Sequence, residues 1–394
     1  MQTNELNIAG RAAIVGLGAT EFSKNSGRTE LRLAMESVLA ALADAGIDPG
    51  EVEGFSSYTM DKVPEYEMAR LLGCKNVKFF SQIPHGGGAA CAPLVHAAMA
   101  VATGLAKTVV VFRAMNERSW YRFGTGDYGF GATPIFENVN YGWYMPYGFH
   151  TPAAWVGMFA QRYMHAHGAT SEDFGRVSVA ARDFAATNPA AFFHGKPITL
   201  AEHQASKWIA EPLRLLDCCQ ESDGAVAMVI TSAERACDLK QKPVIIKAGS
   251  QGITAGQQSM TSYYRDDITG LPEMGVVARE LYAQSGLGPE AFQTAVIYDH
   301  FTPFVLPQLE EFGFCKRGEA KDFIRAGHHA RGGKLPINTH GGQLGEAYIH
   351  GMNGVAEAVR QVRGTAANQV ADVENVLVTA GTGVPTSGLI LGCA

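Results

Sequence analysis

The sequence is short of the features that mark most specialised classes. Its seven cysteines (Cys74, Cys91, Cys218, Cys219, Cys237, Cys315, Cys393) are odd in number and scattered, with no Cys-x-x-Cys pair. That pattern excludes a disulfide framework and a zinc ribbon within the chain and leaves no metal site to predict. Lys and Arg number 32 against 38 Asp and Glu, a formal net charge of −6, so there is no basic footprint for nucleic acid, and no run of like charges forms a tail. Met1 to Gly10 is polar and no apolar run is long enough to span a bilayer, which predicts neither a signal peptide nor a membrane partner. A cytoplasmic globular protein is expected. With 46 % hydrophobic residues over 394 positions, the chain can form one large or two ordinary domains.

What is present is patterned. Ala12 to Gly18 is a short apolar run closed by glycine, as in a buried strand. Thr29 to Ala45 places Leu31, Leu33, Ala34, Val38, Leu42 and Ala45 at helical spacing, with a cap at Thr29 and a stop at Gly46. Val52 to Tyr58 reads as a strand, His85-Gly86-Gly87-Gly88 as a loop, Ala89 to Ala102 as a fully buried helix and Thr108 to Phe112 as a central strand. This order predicts a layered α/β fold with a largely parallel sheet. Asn116 to Thr151 breaks the pattern. It is rich in Gly, Pro and aromatic residues and is expected to be an excursion serving as a lid or an interface. Helices are expected again over Pro152–His167 and Ser171–Thr187, and a strand over Ala225–Thr231. Asp238 to Pro243 reads as linker chemistry. The expected division is therefore 1–240, with an insertion at about 115–215, and 241–394.

The second half replays the first. A helix ending in Gly46-Ile47-Asp48-Pro49 matches one ending in Gly286-Leu287-Gly288-Pro289, and each is followed by a strand. His85-Gly86-Gly87 finds its counterpart in His340-Gly341-Gly342, each leading into a helix and a strand, Thr108–Phe112 or Asn375–Thr379. Two copies of one unit imply a pseudo-symmetric chain whose glycine loops meet near the centre. The second loop, Asn338 to Gly351, also holds Glu346, Tyr348 and His350, a density of proton-handling groups beyond what a connection needs. Cys91 stands behind the first loop, at the mouth of a helix whose dipole favours a thiolate; Cys218 and Cys219 read as core.

These residues resemble the thiolase superfamily over essentially the whole chain. Ala12 to Gly16, Ser222-Asp223-Gly224-Ala225, Asp299 with Phe301, and Asn338 to Gly354 carry the likeness. Leu213–Thr231, Tyr298 to Phe304 and Thr379 to Pro385 make it most similar to the lipid-transfer-protein (sterol-carrier thiolase-like) branch, and within it to bacterial steroid side-chain aldolases. The resemblance implies a thiolase fold, with two pseudo-symmetric αβαβα halves in a five-layered arrangement. It also shows departures. Tyr298 and Tyr348 stand where thiolases carry histidines, and counting back from Gly104 puts the nucleophile position near Gly87, four residues before Cys91.

Without thiolate and histidines the acyl-cysteine route has lost its parts. Retro-aldol cleavage of a β-hydroxyacyl-CoA on a steroid side chain needs only a base, an acid and an oxyanion site. The resemblance implies that Tyr298 and Tyr348 are the catalytic pair, and the residues leave open which is base and which acid. Tyr298 is preferred on the hydroxyl side and Tyr348 near the enolate. Asp299, His300, His340, His350 and Glu346 are the local supply for relay or orientation, with a histidine near neutrality the more economical relay. Backbone amides at Gly87 and Gly383 are expected oxyanion donors. No cofactor is implied beyond the CoA of the substrate. The family further implies a homodimer and a small OB-fold partner with a zinc ribbon, together a heterotetramer. Competing readings are a thiolase or acyltransferase using Cys91, and a lipid carrier without turnover.

Overall fold

The computed structural model describes residues 7–84, 86–120, 122, 142–143, 145–258, 260, 262–381 and 386–393. Helix α1 (Glu30–Ala45) forms where the apolar spacing places it. Thr29 stays extended while its side chain accepts the Arg32 amide, and Gly46 ends the helix at φ 72°. Among the described residues five further helices exceed ten residues: α2 (Ala92–Ala102), α3 (Pro152–His167), α4 (Ser171–Thr187), α5 (Pro272–Ser285) and α6 (Met352–Arg363). Helix α2 begins later than its composition suggests, because Gly87–Ala89 is a 3-10 turn. The excursion after Asn116 lies largely outside the described residues. The segment before Gly333 contains a short helix at Ala320–Arg325.

The strands are β1 (Ala12–Ala19), β2 (Gly54–Tyr58), β3 (Phe79–Ile83), β4 (Val109–Asn116), β5 (Trp208–Ala210), β6 (Leu213–Arg214), β7 (Asp223–Ser232), β8 (Val244–Gly252), β9 (Thr294–Val296), β10 (Asn375–Ala380) and β11 (Thr386–Gly392). Nine of them form one sheet in the order β3-β2-β4-β7-β1-β8-β11-β10-β9, and β5 pairs with β6 apart from it. Taken from each outer edge inwards, the two halves repeat. Ile337 bridges Ala295 in parallel and so takes the place of β3, then β9, β10, β11 and β8 correspond to β2, β4, β7 and β1. The halves join where Ala13 and Ile14 of β1 meet Ile245 and Val244 of β8.

The sheet is mixed, which corrects the largely parallel one expected. Pairs β2/β3, β2/β4 and β9/β10 are parallel; β4/β7, β1/β7, β10/β11 and β11/β8 are antiparallel. In the second half β10 and β11 are separated by only five residues of sequence, too few for the crossover that a parallel pair needs.

Five layers follow from three apolar clusters. Helices α2 and α6 lie between the half-sheets and touch strands of both, burying Leu94, Ala98, Met352, Val355 and Val359 against Val111, Met228, Val378 and Leu389. Helix α1 covers the outer face of the first half over Val15, Val110, Phe112 and Val229. Helix α5, with α3 and α4 beside it, covers the outer face of the second over Ala248, Leu377 and Ile390. The fit of α1 on β1 depends on glycine, because a Cβ at Gly16 or Gly18 would lie 2.1 Å from the carbonyl oxygen of Ala41 or Ser37. Gly18→Ala is expected to lift α1 and cost about 1–3 kcal/mol, read as a lower denaturant midpoint; an unchanged midpoint would contradict this packing.

Candidate active site

The two glycine loops converge at the buried centre. A Cβ built on Gly87 would lie 1.6 Å from the Tyr298 hydroxyl oxygen, and one on Gly86 would lie 2.4 Å from the His350 ring. From the second loop, a Cβ on Gly351 would come within 2.9 Å of both Ala90 and the Tyr298 ring. The Tyr298 ring is therefore seated between the loops in space that side chains at these positions would claim. Its hydroxyl lies 3.3 Å from that of Tyr348, and the two residues are 3 % and 8 % exposed.

Each tyrosine is tied down by its backbone. The Tyr298 amide donates to Gln308 Oε1 at 3.2 Å and Thr379 Oγ1 at 3.1 Å, and its carbonyl accepts from Gln308 Nε2 at 2.7 Å. The Tyr348 amide donates to Ser222 Oγ at 3.1 Å. Ser222 immediately precedes β7, so a strand of the first half positions a side chain of the second.

Burial dominates the electrostatics. It pushes both phenols well above their ordinary value, and for Tyr298 only the hydrogen bond with Tyr348 opposes it among the leading influences. Both tyrosines rest as neutral phenols. Burial also overturns the expectation of a histidine near neutrality. It lowers His300 to about 3 and His340 to about 3, and holds His350 well below its usual value with help from the Arg113 cation.

The histidines consequently act as neutral rings in fixed places. His300 lies 4.6 Å from the Tyr298 ring and stacks on Phe304 at 5.5 Å. The His350 ring meets that of Tyr348 edge to face at 5.1 Å. Arg113 Nε donates to His350 Nδ1 at 3.2 Å, and Arg113 Nη1 pairs with Asp61 Oδ1 at 2.7 Å. Because guanidinium only donates, this bond leaves the His350 ring proton on Nε2. His350 holds φ 49°, a conformation that costs a non-glycine residue energy and that the surrounding contacts must sustain.

Asp299, His340 and Glu346 shape the second loop. Asp299 Oδ1 accepts the Gln343 amide at 2.8 Å at the start of the Gly342–Gly345 turn, and burial raises its carboxyl to about 7. Glu346 accepts from Asn188 Nδ2 at 3.2 Å and Asn353 Nδ2 at 3.1 Å. Arg360 lies 3.6 Å from Glu346, and burial raises this carboxyl to about 7 as well. His340 Nε2 is 3.9 Å from Glu346 Oε2. None of these three bonds either phenol among the described residues. They form a polar layer behind the loop.

Cys91 does not meet the expectation of a thiolate at a helix mouth. It is fully buried, its sulfur faces the Val378 carbonyl at 3.8 Å, and burial pushes the thiol up. Gly383 and His85 lie outside the described residues. Cys219, expected in the core, instead is partly exposed, donates its amide to the His300 carbonyl at 2.8 Å and is felt electrostatically by both phenols.

Sequence reasoning missed Asp61, Arg113, Glu117 and Ser222. One signal was available, because Arg113 interrupts the apolar strand Thr108–Phe112 at its end, and an arginine there must be paired when buried. Glu117 follows in the same run, at the carboxyl end of a central strand where α/β folds place their sites.

Comparisons with known proteins agree with this geometry. A family model described as Thiolase C-terminal domain-like matches residues 254–392. Over 385 residues the chain is 64 % identical to the 17-hydroxy-3-oxo-4-pregnene-20-carboxyl-CoA lyase of Mycobacterium tuberculosis, covering 98 % of this chain and 100 % of that protein. It is 62 % identical to the steroid side-chain-cleaving aldolase of Thermomonospora curvata, covering 98 % of each. Among solved structures, the Ltp2-ChsH2(DUF35) aldolase matches with TM-score 0.94 at 61 % identity over 98 % of each chain. The acetyl-CoA acetyltransferase of Syntrophomonas wolfei shares the fold alone, with TM-score 0.68 at 14 % identity over 97 % of this chain and 99 % of that one.

Gly87→Ala is expected to displace the Tyr298 hydroxyl and lower turnover by about 10²-fold or more, since small misplacement of a reacting group is that costly. Cys91→Ser, by contrast, should keep turnover within about twofold, as expected for a residue without a chemical role. Intact-mass spectra showing an acyl adduct lost in Cys91→Ser would reverse this reading.

Proposed function

The chain belongs to the thiolase-superfamily lineage of steroid side-chain-cleaving aldolases, and from that premise we propose how its residues divide the reaction. It is a carbon–carbon lyase that acts on a steroid-CoA thioester. In a substrate of the kind named for the Mycobacterium tuberculosis relative, the 17-hydroxyl is β to the thioester carbonyl. Removing its proton breaks the bond between the hydroxyl-bearing ring carbon and the thioester-bearing carbon. The products are a 17-keto steroid and the enolate of propionyl-CoA, which a second proton transfer completes. The reaction is redox-neutral and uses no cofactor beyond substrate CoA.

The observation that carries the reading is the contact between the Tyr298 and Tyr348 hydroxyls at Gly87. Tyr298 receives the substrate hydroxyl proton and Tyr348 delivers one to the enolate carbon. A standing phenolate costs roughly 4 kcal/mol at pH 7 even at a pKa of about 10, and burial raises that cost. The hydrogen bond between the phenols avoids it, because one can release a proton as it accepts another. The amides of Gly87 and Gly383 serve the oxyanion. Asp299, His300, His340, His350 and Glu346 orient the loops instead of relaying protons. Cys91 acyl transfer is disfavoured by the buried neutral thiol, and a non-catalytic lipid carrier would have no use for two phenols in contact.

The two repeats, 1–240 with its insertion at about 115–215 and 241–394, form one catalytic unit. The outer strand β3 leaves a free sheet edge among the described residues, on which Phe80 is 64 % exposed, and this edge supports pairing with a second copy. The name of the Ltp2-ChsH2(DUF35) structure supports a DUF35 partner, which we take to be a small OB-fold, zinc-ribbon protein joining the homodimer in a heterotetramer. No helix among the described residues is long and apolar enough to cross a membrane, and cytoplasmic work on a CoA thioester fits that.

Tyr298→Phe and Tyr348→Phe in the assembled complex should each lower kcat by about 10²–10⁴-fold, followed by mass spectrometry of the ketone and acyl-CoA products; unchanged turnover in both would overturn the assignment. Light scattering should give a dimer alone and the mass of a heterotetramer with the partner, and a monomer in both would refute the proposed assembly.

A further inference from the structure

Arg113 lies on β4, which pairs with β2 on one side and β7 on the other, and it is 3 % exposed. A guanidinium so deeply buried needs definite partners for its donors. Nη1 donates to Asp61 Oδ1 at 2.7 Å and to the Ala114 carbonyl at 3.2 Å, and Nε donates to His350 Nδ1 at 3.2 Å. Asp61, which follows β2, is also buried, and its carboxyl accepts the Ala114 amide at 3.3 Å and the Tyr58 amide at 3.4 Å. Two edges of one planar cation therefore hold a carboxyl of the first half and an imidazole of the second in a fixed relation.

The imidazole held in this way touches both sides of the reaction centre. A Cβ on Gly86 would lie 2.4 Å from His350 Cε1, 2.7 Å from Nδ1 and 2.9 Å from Nε2, so the nitrogen-bearing edge of the ring rests on the first glycine loop, next to Gly87 and the Tyr298 hydroxyl. The ring also meets that of Tyr348 edge to face, with centroids 5.1 Å apart and planes at 86°, a favoured arrangement of two flat rings. In a close-packed interior a turn of the imidazole would push its edge into one neighbour or draw it from the other. The backbone does not hold the ring unaided, because His350 sits at φ 49°. The same cation braces the first loop from behind. It lies 5.6 Å from the centre of the Tyr58 ring, and the Tyr58 hydroxyl donates to the Ala90 carbonyl at 3.1 Å.

Resting on the two-tyrosine reading above, we propose that Arg113 and Asp61 are positioning residues for the lyase reaction, acting through His350 to hold the Tyr348 ring, and with it the hydroxyl contact to Tyr298, in reactive alignment. Each donor has its own part. Nε selects the His350 tautomer whose Nδ1 carries no proton and sets the rotation of the ring. Nη1 ties the guanidinium to Asp61, so that it cannot drift with the imidazole. The bond to Nδ1 also requires a neutral ring, since an imidazolium would turn an N–H towards the guanidinium donor; burial and the Arg113 cation both oppose that form. Tyr348 therefore meets an uncharged neighbour. No hydrogen bond joins Arg113 or Asp61 to either phenol among the described residues, so the proton transfers stay with Tyr298 and Tyr348, and the pair contributes their geometry alone.

The test compares wild type, Arg113→Lys, His350→Gln, the double variant and Tyr348→Phe in the assembled complex on a 17-hydroxy steroid 20-carboxyl-CoA thioester. Arg113→Lys keeps a cation for Asp61, but one nitrogen cannot serve a carboxyl and an imidazole from two edges. It should melt near wild type, lose about 10-fold or more in kcat and leave KM within about threefold. His350→Gln lowers kcat by itself and leaves no Nδ1 to hold, so adding Arg113→Lys to it should cost no more than about twofold. Equal losses in the two backgrounds, or a folded Arg113→Lys with kcat within about threefold of wild type, overturn the proposal. Should Arg113→Lys not fold, Arg113→Met with Asp61→Asn, which removes both buried charges together, takes its place in the cycle with the same expectations. Nitrogen-15 spectra of the histidine rings, with His350 identified by its loss in His350→Gln, should place its proton on Nε2; a proton on Nδ1 contradicts the Arg113 bond. Loss of turnover in Tyr348→Phe beside an unimpaired Arg113→Lys would defeat the positioning pair alone, whereas an active Tyr348→Phe would defeat the two-tyrosine reading beneath it.

Discussion

The Tyr298 hydroxyl occupies the volume that a side chain at residue 87 would need, and the rest of the site depends on this exclusion. A nucleophile on the first loop and a tyrosine at 298 cannot coexist, because their atoms would lie far inside van der Waals contact. Glycine at 87 and tyrosine at 298 are therefore one packing arrangement with two sequence signatures. Gly86 against His350 and Gly351 against Tyr298 extend the same logic. Here glycine supplies room more than flexibility.

Room is useful only if the ring stays put. Gln308, Thr379 and Ser222 fix the tyrosine backbones. Asn338, at φ 52°, exchanges two hydrogen bonds with Ile297, at 2.9 and 2.8 Å, and thereby couples the second loop to the segment just after β9 that carries Tyr298. Asp299 then caps the next turn from the same segment. The second loop contains positive φ at Asn338, Gly341, Gly342, His350 and Gly351; the glycines adopt it freely, but at Asn338 and His350 a well-bonded surrounding must hold it. The polar layer of Glu346, Asn188, Asn353 and Arg360 provides that surrounding.

Much of this was legible in the sequence. The duplicated helix stops and glycine loops gave the pseudo-symmetry, and the order of strands in the two halves bears it out down to the Ile337 bridge. The meeting of the two glycine loops followed from pairing them, whereas the seat of the Tyr298 ring against Gly87 did not. Strand direction was not legible, because apolar runs look alike in parallel and antiparallel pairs. Nor was the state of the histidines. Periodicity marks burial of helices and strands, but it does not report that desolvation is the largest influence on His300 and His340. Glu117 escaped for a similar reason: a lone glutamate after a strand reads as surface until Ser222, over a hundred positions away in sequence, is brought beside it.

Burial at the centre also decides how acid acts on the protein. His300, His329 and His340 stay neutral down to about 3, 4 and 3, whereas an unfolded histidine takes a proton near pH 6.5. Below about pH 6.5 the unfolded chain thus binds more protons at these residues, and stability is lost as pH falls towards the folded values. Asp299 and Glu346, raised to about 7, act in the opposite sense. The folded chain protonates them first, so they add stability as pH falls from about 7 towards about 4, where unfolded carboxyls titrate. The two slopes oppose one another between about 6.5 and 4, and the histidines act alone below that window. Across that window the two effects partly cancel, and below it acid acts on the fold through the buried histidines.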